Sequence, residues 1–528
     1  MAIASIAFVG LLGAAIAYVI NYLAHNNRTD RPLPPGPKGI PLLGNLNDLP
    51  KPGTLECHHW VKHKDLYGPI SSITVLGQTF VIINDAQLAL ELLRDRATHY
   101  SARPHMVFSS DMIGWKNTLA FSGDTDTFKQ HRTNIAKVAG STTSLKIFNR
   151  VQEEESVHFL VNVLNSPTKL FEHIEKEAGT VILKITYGYT AEKEGKDYLI
   201  DKAVQTMHEF SAAATPGKWL VDVMPFLQYL PDWLPGAGFK SIARQMKEQL
   251  RTTTEQPYEF VKQQLAAGTA KTSFLSQAIQ DIGADAQMEH IHKWSASSMY
   301  LGGADTTVSA IMTFFLAMML YPDVQRKAQE ELDRVLGSAL PMSGDRDRLP
   351  YIWAVVQETH RWHPVAPMAI PHAATKEDVI RGYRIPKNAL LLPNNWWFTH
   401  DPAVYPDPET FHPERFITTA THAAEPDPRT WTFGYGRRVC PGRYVADNAL
   451  FVTIAQALSV FSIEKARDAQ GKVIEPQVQF EPGVVSHPLA YQTSIRPRSA
   501  QHEKRIRDAE TAYPWEESDA GAVRGIKV

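Results

Sequence analysis

Cysteine is almost absent from this chain. Its 528 residues include only Cys57 and Cys440, and two cysteines so far apart do not make a disulfide framework. No Cys-x-x-Cys pair occurs, so a structural zinc site is not expected. Both facts are typical of a protein in a reducing compartment, and they leave Cys440 free to bind a metal ion.

An excess of charge of either sign is also missing. Lysine and arginine total 54 against 56 aspartate and glutamate residues, whereas nucleic-acid-binding domains usually carry a basic excess. We therefore expect no nucleic-acid partner. Apolar residues make up 44% and charged residues 21%, which is a globular composition. The length allows either several ordinary domains or one large enzyme.

Charge is lacking altogether from Ala2 to Ala24. A helix of this length would span roughly 34 Å, enough to cross a bilayer core. A cleaved signal peptide would have a basic start, and a core helix would keep a polar face. We therefore predict a transmembrane signal anchor over residues 1–25. Arg28, Arg31 and Lys38 follow it, so the positive-inside rule places the chain after residue 25 in the cytosol. In a eukaryotic cell this indicates a single-pass protein of the endoplasmic reticulum membrane.

The remaining chain shows four kinds of segment. Residues 26–41 contain Pro32–Pro37, a stiff hinge. Ile70–Val75 and Thr79–Ile83 predict a hairpin, and the pattern is helical and amphipathic from Phe128 to about Leu336. Residues 499–528 are charged and broken by proline, and we expect a mobile tail there.

Apolar and aromatic residues are interrupted by prolines between Pro216 and Gly238. Such a stretch is either buried core or a surface that touches lipid or a lipophilic substrate. The second interpretation is favoured here, because the run from Pro231 to Gly238 is typical of a loop rather than a helix.

Cys440 lies in a run punctuated by glycine and arginine, Phe433-Gly434-Tyr435-Gly436-Arg437-Arg438-Val439-Cys440-Pro441-Gly442-Arg443. Glycine lets the backbone pass close to a flat ligand. The start of the following helix offers free N–H groups, which stabilise a thiolate and lower the thiol pKa. Arg438 is placed to bind an anionic group. The alternative is a surface loop with an incidental cysteine, but a thiolate with anion-binding arginines suits a haem with an axial sulfur ligand.

A second unusual run, Gly302-Gly303-Ala304-Asp305-Thr306-Thr307, lies inside an apolar helix predicted from about Met288 to Leu320. Each glycine costs about 1 kcal/mol of helix stability relative to alanine. Gly303 would let a flat cofactor approach the backbone, Thr306 would turn its hydroxyl away from its own i−4 carbonyl and open a groove, and Asp305 would relay protons. The alternative is a packing glycine pair beside an exposed aspartate.

These motifs together resemble the cytochrome P450 superfamily of haem-thiolate monooxygenases. The Cys440 loop is similar to the family's haem-binding signature, and the Gly303–Thr307 run to its oxygen-activation motif, with Gly302 in place of a more usual alanine. Glu358, Arg361 and Arg415 resemble its buried Glu-Arg-Arg cluster, which is structural. The resemblance spans about residues 42–498 and implies one large domain, mainly α with small peripheral β-sheets.

The resemblance implies haem b with Cys440 as the axial ligand, lined by Phe433 and Gly303. Propionate contacts are implied for Arg438, Arg132 and His372. In the family's Trp-x-x-x-Arg motif, which ends here at Arg132, Phe128 stands in the tryptophan position. This difference removes an indole N–H donor. His131 is expected to be a solvated histidine on the same helix.

The implied reaction inserts one oxygen atom from O₂ into a lipophilic small molecule, with Asp305 and Thr306 delivering protons. Electrons would come from NADPH-cytochrome P450 reductase, with cytochrome b5 as a further candidate partner. Four basic residues suit docking of an acidic flavoprotein, although ordinary solvated charge is the alternative: Lys129, Lys137, Arg437 and Arg443.

By resemblance the substrate pocket draws on Met106–Trp115, Phe210–Trp219, Val365–Ile370, Val484-Val485 and the helix before Gly303. The pattern is most similar to fungal members, which suggests a terpenoid or aromatic secondary metabolite or a xenobiotic. Two alternatives remain open: a haem-thiolate isomerase or dehydratase, and a non-catalytic haem sensor or binding protein.

Overall fold

Helices dominate the computed structural model, which describes residues 31–123, 125–282 and 285–528. The membrane anchor predicted over residues 1–25 lies outside these ranges. The helices are α1 (Glu56–Tyr67), α2 (Ala86–Leu90), α3 (Ala97–Tyr100), α4 (Asp126–Ala139), α5 (Thr142–Asn165), α6 (Leu170–Tyr187), α7 (Tyr198–Ala214), α8 (Leu220–Val223), α9 (Gly238–Ala267), α10 (Phe274–Ile282), α11 (Ala286–Leu320), α12 (Pro322–Leu336), α13 (Pro350–Trp362), α14 (Asn395–His400), α15 (Arg429–Thr432), α16 (Arg443–Val460), α17 (Ala500–Ala512) and α18 (Ala520–Arg524). The mainly helical fold predicted from the sequence is confirmed.

The strands are few and short: β1 (Ile70–Val75), β2 (Gln78–Ile83), β3 (His372–Ala373), β4 (Asp378–Ile380), β5 (Tyr383–Ile385), β6 (Leu390–Pro393), β7 (Phe461–Lys465) and β8 (Thr493–Pro497). The predicted hairpin is confirmed, because β1 and β2 pair antiparallel from Ile70 opposite Ile83 to Val75 opposite Gln78. It extends to a four-stranded sheet in the order β1-β2-β6-β3. Pairing of β3 with β6 places His372 opposite Leu391 at the sheet edge.

Helix α11 is the central element of the body. The side chain of Asp285 caps it by accepting bonds from the backbone of Gln287 and Met288. It packs most extensively on α6 and also contacts α4, α7 and α16. Within the described residues it is the one helix long and apolar enough to cross a bilayer, but most of it is buried inside the protein. A helix that is apolar on all sides is expected in such a core position.

The predicted Glu-Arg-Arg cluster is present. Arg361 donates to both carboxylate oxygens of Glu358, at 2.7 and 2.8 Å, and Arg415 donates to Glu358 at 3.2 Å. All three side chains are almost completely buried. Both arginines also donate to backbone carbonyls, Arg361 to Pro408 and Arg415 to Pro406. The cluster therefore joins α13 to the segment that leads to the Cys440 loop.

The C-terminal segment differs from the mobile tail that we predicted over residues 499–528. Most of it forms α17 and α18, with Ile506 and Val523 completely buried. Trp515 stacks on His158 of α5 with ring centroids 3.8 Å apart. The charged composition hid a few apolar residues that dock on the body, and burial of this kind orders a chain end.

Candidate active site

The Cys440 loop folds back on itself immediately before α16. The Cys440 amide donates to the Phe433 carbonyl at 2.7 Å, so the predicted cofactor residue Phe433 supports the cysteine through its backbone. Gly436 has φ near +49°, and a Cβ there would lie 2.6 Å from the carbonyl oxygen of Leu93. Only glycine fits this close approach. The sulfur of Cys440 is thereby held at a defined place beside the start of α16.

The environment of Cys440 differs from the expected thiolate-stabilising one. Burial raises the pKa of the Cys440 thiol, and it outweighs the amide of Gly442, Arg132 and Arg443, which act in the opposite direction. Desolvation disfavours a charged sulfur unless a cation compensates for it. A bound metal ion supplies that compensation and takes the place of the thiol proton.

Arg438 is buried near the end of the loop. It donates to the carbonyl of Ser101 at 2.7 Å, and its guanidinium lies over the ring of Phe128 at 3.8 Å from the centroid. A cation over an aromatic face is favourable, more so when both are desolvated. Phe128, which stands in the family's tryptophan position, therefore supports Arg438 with its ring.

Arg103 is a candidate site residue that sequence reasoning missed. It donates to the backbone carbonyls of Ala120, Ile370 and Pro371. Burial lowers its pKa well below the ordinary value, and Arg438 lowers it further. No acidic side chain of the described residues forms an ion pair with Arg103. The only signal in the sequence is one arginine before Pro104, among 54 basic residues.

His372 completes this cationic cluster of Arg103, His372 and Arg438. Its Nδ1 lies 2.7 Å from the Tyr100 carbonyl. Burial lowers the pKa of His372 well below the usual range, and the charges of Arg103 and Arg438 add to that effect. The lowered pKa leaves His372 neutral, and the buried charge of Arg103, which has no acidic partner among the described residues, favours an anionic ligand. The predicted grouping of His372 with Arg438 thus gains a third member.

Arg132 and His131, two residues of the sequence-based predictions, lie on α4 and have other partners than the cationic cluster. Arg132 donates to the Val439 carbonyl at 2.6 Å, which places it beside Cys440; its propionate contact remains a prediction. His131 is not the solvated histidine that we expected. It is 1% exposed and its Nδ1 lies 2.7 Å from the Ser295 hydroxyl of α11, because this side of α4 packs on α11.

The structure adds to two expectations for α11. A Cβ on Gly303 would lie 2.7 Å from Ile182 of α6, whereas a Cβ on Gly302 would meet no atom within 4 Å. Gly302 thus presents open backbone and Gly303 allows close helix packing, while contact of Gly303 with the cofactor remains a prediction. The Thr306 hydroxyl is not turned away from its i−4 carbonyl but donates to Gly302 at 2.7 Å. An i−4 bond satisfies the hydroxyl locally and holds it on the same face as Gly302.

Asp305 faces a different element. Its carboxylate lies 3.1 Å from Nε2 of His487, and the two side chains are 11% and 20% exposed. The alternative of an exposed aspartate is therefore wrong. His487 belongs to the loop before β8, so no local pattern in the sequence joins the two residues.

These residues fit a haem. Cys440 offers a sulfur ligand at the start of α16, and α11 packs against that helix. Gly302 offers backbone open to a flat group. Arg103, His372 and Arg438 form a cationic cluster suited to two propionates. The described residues contain no cluster of three or more His, Cys, Asp or Glu side chains that could hold a metal ion alone.

Comparison with known proteins agrees with this geometry. The cytochrome P450 family model matches residues 34–495. The chain is 44% identical over 500 residues to cytochrome P450 monooxygenase claR of Ampulloclitocybe clavipes, covering 94% of this chain and 91% of the relative. It is 42% identical to monooxygenase ppsD of Aspergillus oryzae, with 94% of each covered. It is 40% identical to O-methylsterigmatocystin oxidoreductase of Aspergillus flavus, with 95% of each covered.

The fold and the site define a haem-thiolate enzyme, in which haem b has a cysteine thiolate as its axial ligand. The chain belongs to the cytochrome P450 family. It is a monooxygenase, and its chemistry requires a redox partner and acts on a lipophilic substrate.

Proposed function

We propose that this protein is a membrane-bound monooxygenase of a lipophilic secondary metabolite, and that Asp305 and Thr306 deliver the protons for oxygen activation. The observation that carries the proton role is the position of Thr306, whose hydroxyl lies on the α11 face that Gly302 opens. When bound, the haem supplies dioxygen activation. The reaction inserts one oxygen atom into substrate and releases the other as water, using two electrons from NADPH and two protons.

Aromatic side chains dominate the region proposed for substrate. Phe210 lies against Trp115 and Phe121, with ring centroids 4.5 and 5.7 Å apart. Ser298 of α11, one turn before Gly302, accepts a hydrogen bond from the Leu119 amide and so ties this loop to α11. The same apolar cluster includes Val484. Apolar surroundings of this kind favour an apolar molecule bound mainly by burial, and their aromatic rings support an aromatic substrate.

Two apolar segments border one large cavity of about 990 Å³. Ile40 and Leu42 come from the chain just after the predicted membrane anchor, and Pro216 and Pro225 come from the Pro216–Gly238 stretch. That stretch also exposes large apolar side chains: Leu220, Phe226, Tyr229 and Trp233. Several large apolar side chains exposed in one segment mark an interaction surface. They support contact with the endoplasmic reticulum membrane and substrate access from lipid.

The proposed electron donor is NADPH-cytochrome P450 reductase, with cytochrome b5 as a second candidate. Lys129 and Lys137 are exposed on α4, and Arg437 is exposed three residues before Cys440. Arg443 is half-buried and donates to the Tyr444 hydroxyl. Exposed basic residues on α4 and in the cysteine loop support docking of an acidic protein by charge complementarity.

Thr306→Ala tests the proton role. We expect the fraction of NADPH electrons that reach product to fall by about 10-fold or more, because the hydroxyl that holds a proton at the open face of α11 is lost. The yield of hydrogen peroxide per NADPH should rise by a corresponding amount. The substrate is first chosen from a compound library by the spin-state shift that it causes in the absorption spectrum.

Thr313→Ala is the matched control, because Thr313 makes the same i−4 bond, to Ser309, two turns further along α11 and completely buried. Its coupling, the fraction of NADPH electrons that reach product, should match that of wild type. Unchanged coupling in Thr306→Ala with a true substrate would contradict the proton role.

A further inference from the structure

His487 is the direct partner of the proposed proton donor. Its Nε2 lies 3.1 Å from Oδ1 of Asp305. It comes from the segment between Glu481 and Pro488, more than 170 residues after Asp305 in the chain. The contact therefore depends on how the fold presents this segment to α11.

The residue before His487 is held from three directions. The Ser486 amide donates to the Val365 carbonyl at 2.9 Å, and its carbonyl accepts from the Ser309 hydroxyl at 2.6 Å. Its own hydroxyl lies 3.0 Å from Nε2 of His363. Ser309 is one helical turn beyond Asp305, so both residues bind this segment from the same side of α11. The imidazole of His487 thus has a fixed position against the carboxylate.

The electrostatic surroundings of His487 are mainly acidic. Asp305 faces it from α11, Glu175 interacts with it from α6, and Glu481 lies in its own segment. His363, at the end of α13, is the nearby basic group. Burial alone would lower the pKa of His487, but the hydrogen bond and charge of Asp305 outweigh burial and raise it above the ordinary value.

We propose that His487 is a positioning residue for oxygen activation, which fixes the Asp305 carboxylate through a charged hydrogen bond and makes proton delivery depend on the charge of the imidazole. The proposal rests on the proposed role of Asp305 and Thr306. It adds a chain-specific residue outside the motif on α11. Charge-assisted hydrogen bonds are about twice as strong as neutral ones, so loss of the imidazolium charge loosens the carboxylate.

The pH dependence has a definite sign. Because the pKa of His487 in the folded protein lies above its unfolded value of about 6.5, its stabilising effect is complete below that value. The effect is lost as pH rises through the higher folded pKa. Coupling of electrons to product should fall over the same pH range in the wild-type enzyme.

The test compares His487→Gln with wild type between about pH 6 and pH 9, a range that brackets the unperturbed imidazole pKa. Glutamine keeps a hydrogen-bond donor but carries no charge. We expect coupling at pH 7 to fall by about 3- to 10-fold, and its dependence on pH to flatten. His412→Gln is the control, since His412 forms a half-exposed pair with Glu414 away from the site. Its coupling should match wild type.

A second readout does not depend on turnover. The melting temperature of wild type should exceed that of His487→Gln most at low pH, and the difference should shrink as pH rises. In an Asp305→Asn background the same substitution should leave the melting temperature unchanged at every pH. If His487→Gln does not fold, His487→Asn replaces it in both measurements.

The outcomes separate this proposal from the function on which it rests. Normal coupling and an unchanged pH profile in His487→Gln, beside a strongly uncoupled Thr306→Ala, would overturn the role of His487 alone. A coupled Thr306→Ala would overturn the proton role of the α11 motif. A stability difference that persists in the Asp305→Asn background would also overturn the pairing.

Discussion

Glu358→Gln is expected to leave almost no folded, haem-containing protein. The carboxylate of Glu358 is completely buried and accepts from Arg361, from Arg415 and from the His412 amide, the last at 2.7 Å. Removing its charge leaves two buried guanidinium groups without their shared anion. Breaking a buried pair in this way costs about 3–5 kcal/mol, a large part of the 5–15 kcal/mol that stabilises a typical domain.

The measurement is the yield of soluble protein and its melting temperature. Glu330→Gln is the matched control, because Glu330 pairs with Arg326 at 2.6 Å on the exposed side of α12. A surface pair of this kind contributes only about 0–1 kcal/mol, so the control should fold normally. A Glu358→Gln protein that melts close to wild type would show that the cluster does not hold the fold together.

Arg103→Ala is expected to weaken haem retention by about 10- to 100-fold, from the loss of one charge-assisted hydrogen bond of roughly 1.5–3 kcal/mol. Arg103 lies beside His372 and Arg438, and its desolvated charge has only backbone carbonyls as partners among the described residues. A carboxylate of the cofactor would relieve that cost. Haem content per chain after dilution and gel filtration measures the effect.

Arg496→Ala provides the control for Arg103→Ala. Arg496 is an exposed arginine of β8 that pairs with Glu464, and its removal should leave haem content unchanged. Normal haem retention in Arg103→Ala would contradict the assignment of the cationic cluster to the propionates.

Much of the fold follows from local sequence pattern. The β1–β2 hairpin and the length of α11 were predicted from alternation and from apolar composition, which are properties of neighbouring residues. The buried position of Glu358 came from resemblance, since an i, i+3 pair is ordinarily a surface feature. The C-terminal helices were missed because only a few apolar residues, such as Ile506, hold them to the body.

The candidate site was predicted less completely, because its details depend on contacts between distant parts of the chain. The sequence indicated two adjacent glycines, but only the position of Ile182 decides that Gly302, not Gly303, is the open one. Arg103 and His487 carry no motif of their own. Their importance comes from Arg438 and Asp305, which the fold brings to them.

Dependence on distant contacts also explains why the pKa of the Cys440 thiol was not predicted. A helix start and nearby arginines suggested a lowered pKa, but burial in the folded protein dominates and raises it. The extent of burial is a property of packing, which the eleven-residue loop does not encode by itself. The Cys440 loop therefore indicated the candidate ligand, whose binding to the iron remains a prediction, but it did not indicate the burial that raises the pKa of the thiol.

The central claim is that Cys440 ligates the haem iron, and the absorption spectrum of the reduced protein with carbon monoxide tests it most directly. Full-length wild type and Cys57→Ala are expected to show the red-shifted Soret band of a thiolate-ligated adduct, and Cys440→Ser is expected to lack it. Absence of that band from wild type, or its survival in Cys440→Ser, would contradict the claim.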